Sequence, residues 1–392
     1  MLKLKKKSAA GPDSLPPILF NQCASSLSFP LSILFRSLID LHELPSEWKI
    51  SIITPKFKKG NPSAPQNYRP ISLTCTCCKV LETIIANKLL EFLSKSNLLS
   101  KSQHGFLKRH STTTNLLEST KDWTISLTNR KSVVVGYIDF QRAFDTISHP
   151  KLLLKLASYG ICGNLFLWIK SFISNRHQCV RINSYLSPTL EILSGVPQGS
   201  VLGPILFNLF VNDLPDNFEH NVKVKLFADD LKIYSEINSV QDNINFQNHL
   251  NVIFEWSVIW QMKISFSKCN IMEYGSYSPQ NIFYFSLTPI THSTTIRDLG
   301  ILFDHNLKFS QHIHDVIVRS KQRSALIFRS YQSRDTTNLL LEDKTYIRPI
   351  AEYASTIWSP SLITLINDME SIQKISLNVS RVSRIFPILR DC

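Results

Sequence analysis

Two adjacent carboxylates interrupt an apolar run, Val224-Lys225-Leu226-Phe227-Ala228-Asp229-Asp230-Leu231-Lys232-Ile233-Tyr234, and no other stretch limits the fold so sharply. The apolar residues on either side suit two strands of a hairpin packed on a core, which puts Asp229 and Asp230 at its tip. Like charges that close repel, and taking them out of water costs on the order of several kcal/mol unless partners or protons compensate. A divalent cation relieves both costs. Alone, such a pair is more often a solvated acidic turn. A third acid held nearby reverses that reading.

A chain of 392 residues exceeds one ordinary core and is expected to fold as two or three packed subdomains. Its 43 basic and 30 acidic side chains leave a charge of +13, which favours a polyanionic partner. No apolar run reaches the roughly 18 residues of a membrane span, so no membrane role is expected and the protein is expected to be intracellular. Of the 8 cysteines only Cys75, Cys77 and Cys78 cluster, and without a second Cys/His pair in step they read as reduced core thiols rather than zinc ligands. His312 and His314 lack such partners too.

Gly11-Pro12-Asp13 signals a turn and then a helix from Leu15 to Phe20, and residues 27 to 44 continue with helical periodicity. Trp48 to Lys56 and Asn67 to Leu73 read as two strands around a basic turn, bringing Lys56, Lys58, Lys59 and Arg69 together where they could follow a phosphate chain. A solvated basic hairpin fits these residues equally. An amphipathic helix is expected from Cys78 to Leu93, then the polar turn Lys101 to Leu107, then a helix capped by the run Ser111 to Thr114. Val133 to Ile138 is continuously apolar, as in a strand buried on both faces, and it ends on Asp139.

Two helices are expected between residues 150 and 174, a hairpin from Cys179 to Leu193, and a Gly195-to-Ser200 loop in which Gly199 allows close backbone approach. Ser200 can cap the helix that follows. Val240 to Trp260 reads as helix, Asn270 to Tyr274 and Asp298 to Phe303 as strands, and the rest as mostly helical. Strand, helix, two strands, helix, strand is the split βαβ arrangement, which can bring Asp139 to the same sheet end as Asp229 and Asp230. Three carboxylates there suit two Mg²⁺ ions, with Mn²⁺ as a substitute; held about 3.5–4 Å apart, such ions assist phosphoryl transfer.

Taken in order, Asn67-Tyr68-Arg69-Pro70-Ile71-Ser72-Leu73, Tyr137-Ile138-Asp139-Phe140 with Ala143-Phe144-Asp145, Ser194 to Pro204, Phe227-Ala228-Asp229-Asp230 and Asp298-Leu299-Gly300 resemble the reverse transcriptase of non-LTR (LINE-like) retrotransposons. The resemblance implies an α+β right-hand polymerase: fingers over residues 1–130, a split βαβ palm over 131–305 and a helical thumb over 306–392. It implies an RNA-directed DNA polymerase that extends a DNA primer on an RNA template with deoxynucleoside triphosphates. By position it makes Asp139, Asp229 and Asp230 metal ligands, with the Phe140 carbonyl adding an oxygen. Lys56 and Arg69 would hold the triphosphate, and Phe144 would exclude a 2′-hydroxyl. Gln198 and Gly199 would meet the nucleotide and duplex, and Lys268 would protonate pyrophosphate.

Asp145 is expected to cap a helix or brace a loop rather than bind metal. The resemblance also implies residence in nucleus and cytoplasm. No endonuclease pattern precedes the fingers and no Cys/His knuckle follows, so a shortened copy is expected, with nicking supplied elsewhere. The alternative function is a nucleic-acid-binding remnant that no longer catalyses.

Overall fold

The structure is a computed structural model that describes residues 1–218, 221–275, 282–330 and 336–377. Helices α1 (Pro17–Gln22) and α2 (Ala24–Asp40) lead to a strand pair, β1 (Ile50–Phe57) and β2 (Tyr68–Leu73), followed by α3 (Thr76–Lys95) and α4 (Thr112–Thr128). The start of α4 is fixed by a capping box in which the Ser111 hydroxyl and the Thr114 amide, and the Thr114 hydroxyl and the Ser111 amide, pair reciprocally. Next come β3 (Ser132–Ile138), the short α5 (Ala143–Thr146), α6 (His149–Ser158) and α7 (Gly163–Ile173).

The strands β4 (Arg176–Ile182), β5 (Tyr185–Leu186) and β6 (Leu190–Ile192) precede α8 (Gly203–Val211), the hairpin β7 (Lys223–Phe227) and β8 (Asp230–Ile237), α9 (Val240–Ile259) and β9 (Asn270–Tyr274). Short strands β10 (Tyr284–Phe285), β11 (Thr288–Pro289) and β12 (Thr291–His292) lead to the hairpin β13 (Thr295–Asp298) and β14 (Ile301–Asp304). Beyond it the described chain is helical: α10 (Ser310–Ser330), α11 (Thr336–Glu342), α12 (Arg348–Glu352), α13 (Ser355–Trp358) and α14 (Ile363–Leu377).

The central sheet runs β12-β9-β3-β8-β7, with β3 antiparallel to both β8 and β9. Without β12, that order is the one expected of a split βαβ unit. The apolar run of β3 follows from its place. Val134 and Ile138 face a core shared with Phe207 and Phe210 of α8 and Phe246 of α9. Val133 and Val135 face a second core around Trp123, Phe303 and Ile313. A strand covered on both faces has no position at which a polar side chain is free of cost, so the run ends in charge only where the sheet ends.

A second sheet runs β2-β1-β4-β5, with β6 paired to β4. Its parallel β1–β4 pairing joins distant segments, which periodicity could not reveal. The expected strand from Asp298 to Phe303 is instead a hairpin, because Leu299 and Gly300 both take positive φ, 44° and 95°, and reverse the chain. Glycine adopts that conformation without penalty, which allows the turn.

The loop from Ser194 to Leu202 is clamped between the two sheets. Ser72 donates its amide to the Gln198 carbonyl, and Val196 donates to the Phe144 carbonyl, both at 2.8 Å. Gly195 and Gly199 permit this: an added Cβ would lie 2.7 Å from the Asp145 backbone and 2.4 Å from the Ser72 carbonyl oxygen, respectively. The closeness that Gly199 allows is thus to β2. Ser200 accepts from the Gly203 amide, but the N-cap position of α8 is held by Leu202, so Ser200 ties the loop ahead of the helix rather than occupying its cap. Beneath the loop, the fully buried Glu82 of α3 accepts from the amides of Val201 (2.7 Å) and Leu202 (3.0 Å).

Glu82 thereby ties α3 to the start of α8. Glu82→Ala leaves two buried amides without an acceptor, at about 1–3 kcal/mol each, and is expected to destabilise the chain by about 2–4 kcal/mol in denaturant unfolding. A loss below about 1 kcal/mol would contradict this clamp.

Candidate active site

Asp139 follows the last residue of β3, where the strand leaves the core. Its carbonyl accepts from the Ser265 amide at 2.8 Å, which fixes the strand end against the segment preceding β9. On the adjacent hairpin, Phe227 and Asp230 are register partners, so Ala228 and Asp229 form a two-residue turn. Ala228 holds φ at 56°, a strained value for a residue with a Cβ. The three carboxylates come from two neighbouring strands and share one sheet end.

Their electrostatics reflect that crowding. Burial, then the nearby Asp139 carboxylate, push the Asp229 pKa above the usual aspartate value, while Lys58 and Arg69 oppose the shift. Solvent reaches Asp230, yet it lies in a concave cleft. Enclosure there, followed by Asp229, Asp298 and Asp139, pushes its carboxyl up to about 7. Lys268 sits across from Asp139, Nζ to Oδ1 at 3.0 Å.

The donor chemistry fits a hard divalent cation: all the side-chain donors are oxygens, and each gains from a positive charge among them. Among the described residues no cluster of His, Cys, Asp and Glu closes into a cage. The fit therefore rests on charge and open room. Phe140 buries its ring beside Trp256 and bridges to Ile264, and the bridge's hydrogen bonds use the Asp139 carbonyl and the Gln141 amide. That bridge leaves the Phe140 carbonyl aside.

A cavity of about 490 Å³ opens at this point, lined by Asp139, Asp230 and Lys268 together with Lys58, Lys59 and Arg69. Lys56 pairs with Arg69 across the β1–β2 ladder but does not line this cavity. Of the four cations that the strand reading grouped, Lys58, Lys59 and Arg69 line it. Under the acids lies a buried ion pair that was not foreseen, Lys232 Nζ to Asp298 Oδ2 at 2.6 Å. A lysine within an otherwise apolar strand was its signal, since such a charge needs a partner.

Phe144 and Gln198 form a neighbouring group. Phe144 stacks on Phe207, centroids 4.2 Å apart at 16°, and meets the edge of Phe106 at 6.2 Å. Gln198 donates Nε2 to Asp145 Oδ1 at 2.8 Å, and the Asp145 carbonyl accepts from the Ser194 hydroxyl. Asp145 braces the loop, as expected. Cys75, Cys77 and Cys78 are buried free thiols, with burial pushing Cys77 up to about 11. His312 accepts from the Leu302 amide.

Among the described residues no helix is long and apolar enough to cross a membrane. The reverse transcriptase (RNA-dependent DNA polymerase) family profile matches residues 56–303, more than half of the chain. The chain is 30% identical over 326 residues to the RNA-directed DNA polymerase from mobile element jockey of Drosophila melanogaster, covering 80% of this chain and 35% of that protein. It is 28% identical to the probable RNA-directed DNA polymerase from transposon X-element of the same species, covering 88% of this chain and 39% of the relative. The jockey polymerase of Drosophila funebris is 28% identical, over 95% of this chain and 42% of its own length.

The chain thus spans 35–42% of the length of these three curated relatives. Among solved structures, apo telomerase from Candida tropicalis truncated from its C-terminal domain aligns with a TM-score of 0.47 at 11% identity, covering 67% of this chain and 54% of that one. A mixed α+β fold with a split βαβ sheet, the ordered motifs and the profile match agree: the chain belongs to the reverse transcriptase family and is related to the polymerases of the non-LTR elements jockey and X-element.

Proposed function

We propose that this chain is an RNA-directed DNA polymerase, adding deoxynucleotides to a primer 3′-hydroxyl on an RNA template. The observation that carries the reading is the meeting of Asp139 and Asp230 with Lys58, Lys59 and Arg69 in one cavity. In this reading residues 1–130 serve as fingers, 131–305 as palm and 306–392 as thumb.

Asp139, Asp229 and Asp230 would hold two divalent cations, Mg²⁺ or Mn²⁺, which when bound lower the pKa of the attacking hydroxyl and neutralise charge on the leaving oxygen. The chain's own residues do the rest. Arg69, with Lys58 and Lys59, draws the triphosphate to the fingers wall, and the planar guanidinium can grip two phosphate oxygens at once. Lys56, cross-strand from Arg69, adds to the positive field from outside the cavity.

Phe144 is held flat by Phe207, so its ring cannot swing away from a sugar placed against it. That rigidity supports selection of deoxyribose. Gln198 is oriented by Asp145 and by the tie of its own carbonyl to β2, which together aim the loop at the base pair. Gly199 keeps that loop against Ser72. Lys268, exposed beside Asp139, is positioned to give a proton to departing pyrophosphate after exchanging its carboxylate partner for phosphate. A nick for priming would come from another domain or chain.

Primer extension on an RNA template tests this. Asp229→Ala and Asp230→Ala are each expected to lower incorporation roughly 10²–10³-fold with folding unchanged by circular dichroism. Equal incorporation by these variants and the parent chain would overturn the reading. A chain that binds template and primer yet never extends them would instead favour the inactive remnant.

Phe144→Ala is expected to raise ribonucleotide use relative to deoxynucleotide use at least about tenfold, a gap of about 1.4 kcal/mol between the two barriers. An unchanged ratio would remove Phe144 from sugar selection. Lys58→Ala and Lys59→Ala are each expected to lower by about 1 the slope of log affinity for template and primer against log salt. Slopes equal to the parent's would mean that these lysines do not face phosphate.

A further inference from the structure

Apart from Phe106, which meets Phe144, the polar stretch Lys101 to Leu107 has no part in the chemistry above, yet it lies against the acidic turn. Ser102 and His104 pair with Leu226 in a parallel bridge: the Leu226 amide donates to the Ser102 carbonyl and the His104 amide to the Leu226 carbonyl, both at 2.8 Å. The exposed edge of β7 is thereby covered, and Gln103 is brought beside Ala228.

Gln103 is 2% exposed, and its Oε1 accepts two amides, Gly105 at 2.7 Å and Ala228 at 3.0 Å. Both partners are N–H donors, which assigns the oxygen to this side. Its Nε2 is buried with no hydrogen-bond partner among the described residues. An amide kept in the interior with its donor unused is retained for its acceptor. Gly105 makes the approach possible, since an added Cβ would lie 2.4 Å from the Ala228 nitrogen. Asn208 of α8 pins the segment from the other side, donating to the Gly105 carbonyl at 2.7 Å.

Ala228 is the residue whose backbone is strained, with φ at 56°, and it immediately precedes Asp229. Strain of this kind persists only where the surroundings over-determine it. We propose that Gln103 is a positioning residue: by accepting the Ala228 amide it holds the turn in the left-handed conformation that sets Asp229 beside Asp139 at the sheet end. The proposal rests on the polymerase reading for its effect on turnover, but not for its effect on the turn itself.

Two readouts separate the ideas. Gln103→Met matches the side chain in length and removes the acceptor. Hydrogen exchange followed by mass spectrometry is expected to show the amide of Ala228 exchanging at least about tenfold faster, with the β8 amides unchanged. In primer extension, kcat is expected to fall about 10–100-fold, while affinity for template and primer stays within about twofold of the parent's. Adding Ala228→Gly, which makes positive φ free of strain, is expected to recover most of the lost kcat.

Unchanged exchange at Ala228, or a lost kcat that Ala228→Gly does not recover, would overturn the role. Should Gln103→Met not fold, Gln103→Glu keeps an accepting oxygen at the same reach and is expected to retain slow exchange at Ala228; fast exchange there would overturn it too. If the parent chain itself does not extend a primer, the polymerase reading fails while the exchange result still decides the role of Gln103.

Discussion

Repulsion among Asp139, Asp229 and Asp230 is the constraint around which the molecule is built. Enclosure, then the neighbouring carboxylates, raise the cost of ionising Asp229 and Asp230, and Asp230 is pushed up to about 7. A fold does not hold such a group for stability. Here the cost is localised where β3 leaves a core closed on both faces, at a hairpin whose turn residue Ala228 is held from outside the sheet by Gln103. Lys58, Lys59 and Arg69 supply opposite charge at longer range without filling the space between the acids. What remains is an open, polarised cleft suited to phosphate and cation together.

Precision at that cleft comes from buried polar contacts that the chemistry does not touch. Glu82 reaches from α3 to the amides at the start of α8, and the loop carrying Gln198 is pinned to β2 and to the turn after β3. Lys232 and Asp298 form an ion pair below Asp230, each almost fully enclosed. Such pairs contribute little net stability, and breaking one is costly, so they act to fix geometry. Gln103 belongs to the same class. These groups join segments far apart in the chain, so the two sheets and the helices behave as one frame around the cleft.

Much of the frame could be read from residue pattern. The hairpin at Asp229, the doubly covered strand ending at Asp139 and the capped helix after Ser111 follow from local periodicity and side-chain chemistry, and they fold as read. Asp145 bracing a loop was legible as well, since a short carboxylate side chain suits such local hydrogen bonds. The misses share one cause, long-range packing. Nothing local signals that β1 pairs with β4 or that Glu82 ends beneath Val201. Asp298 to Phe303 was read as one strand because its composition is apolar; Gly300 was the local sign of the reversal.

The central claim is that the three aspartates are cation donors. Calorimetric titration of Mg²⁺ into the chain bound to template and primer tests it without reference to turnover. The account predicts saturable binding that is lost in Asp230→Asn while template and primer remain bound. Identical Mg²⁺ binding by the variant and the parent chain would contradict it.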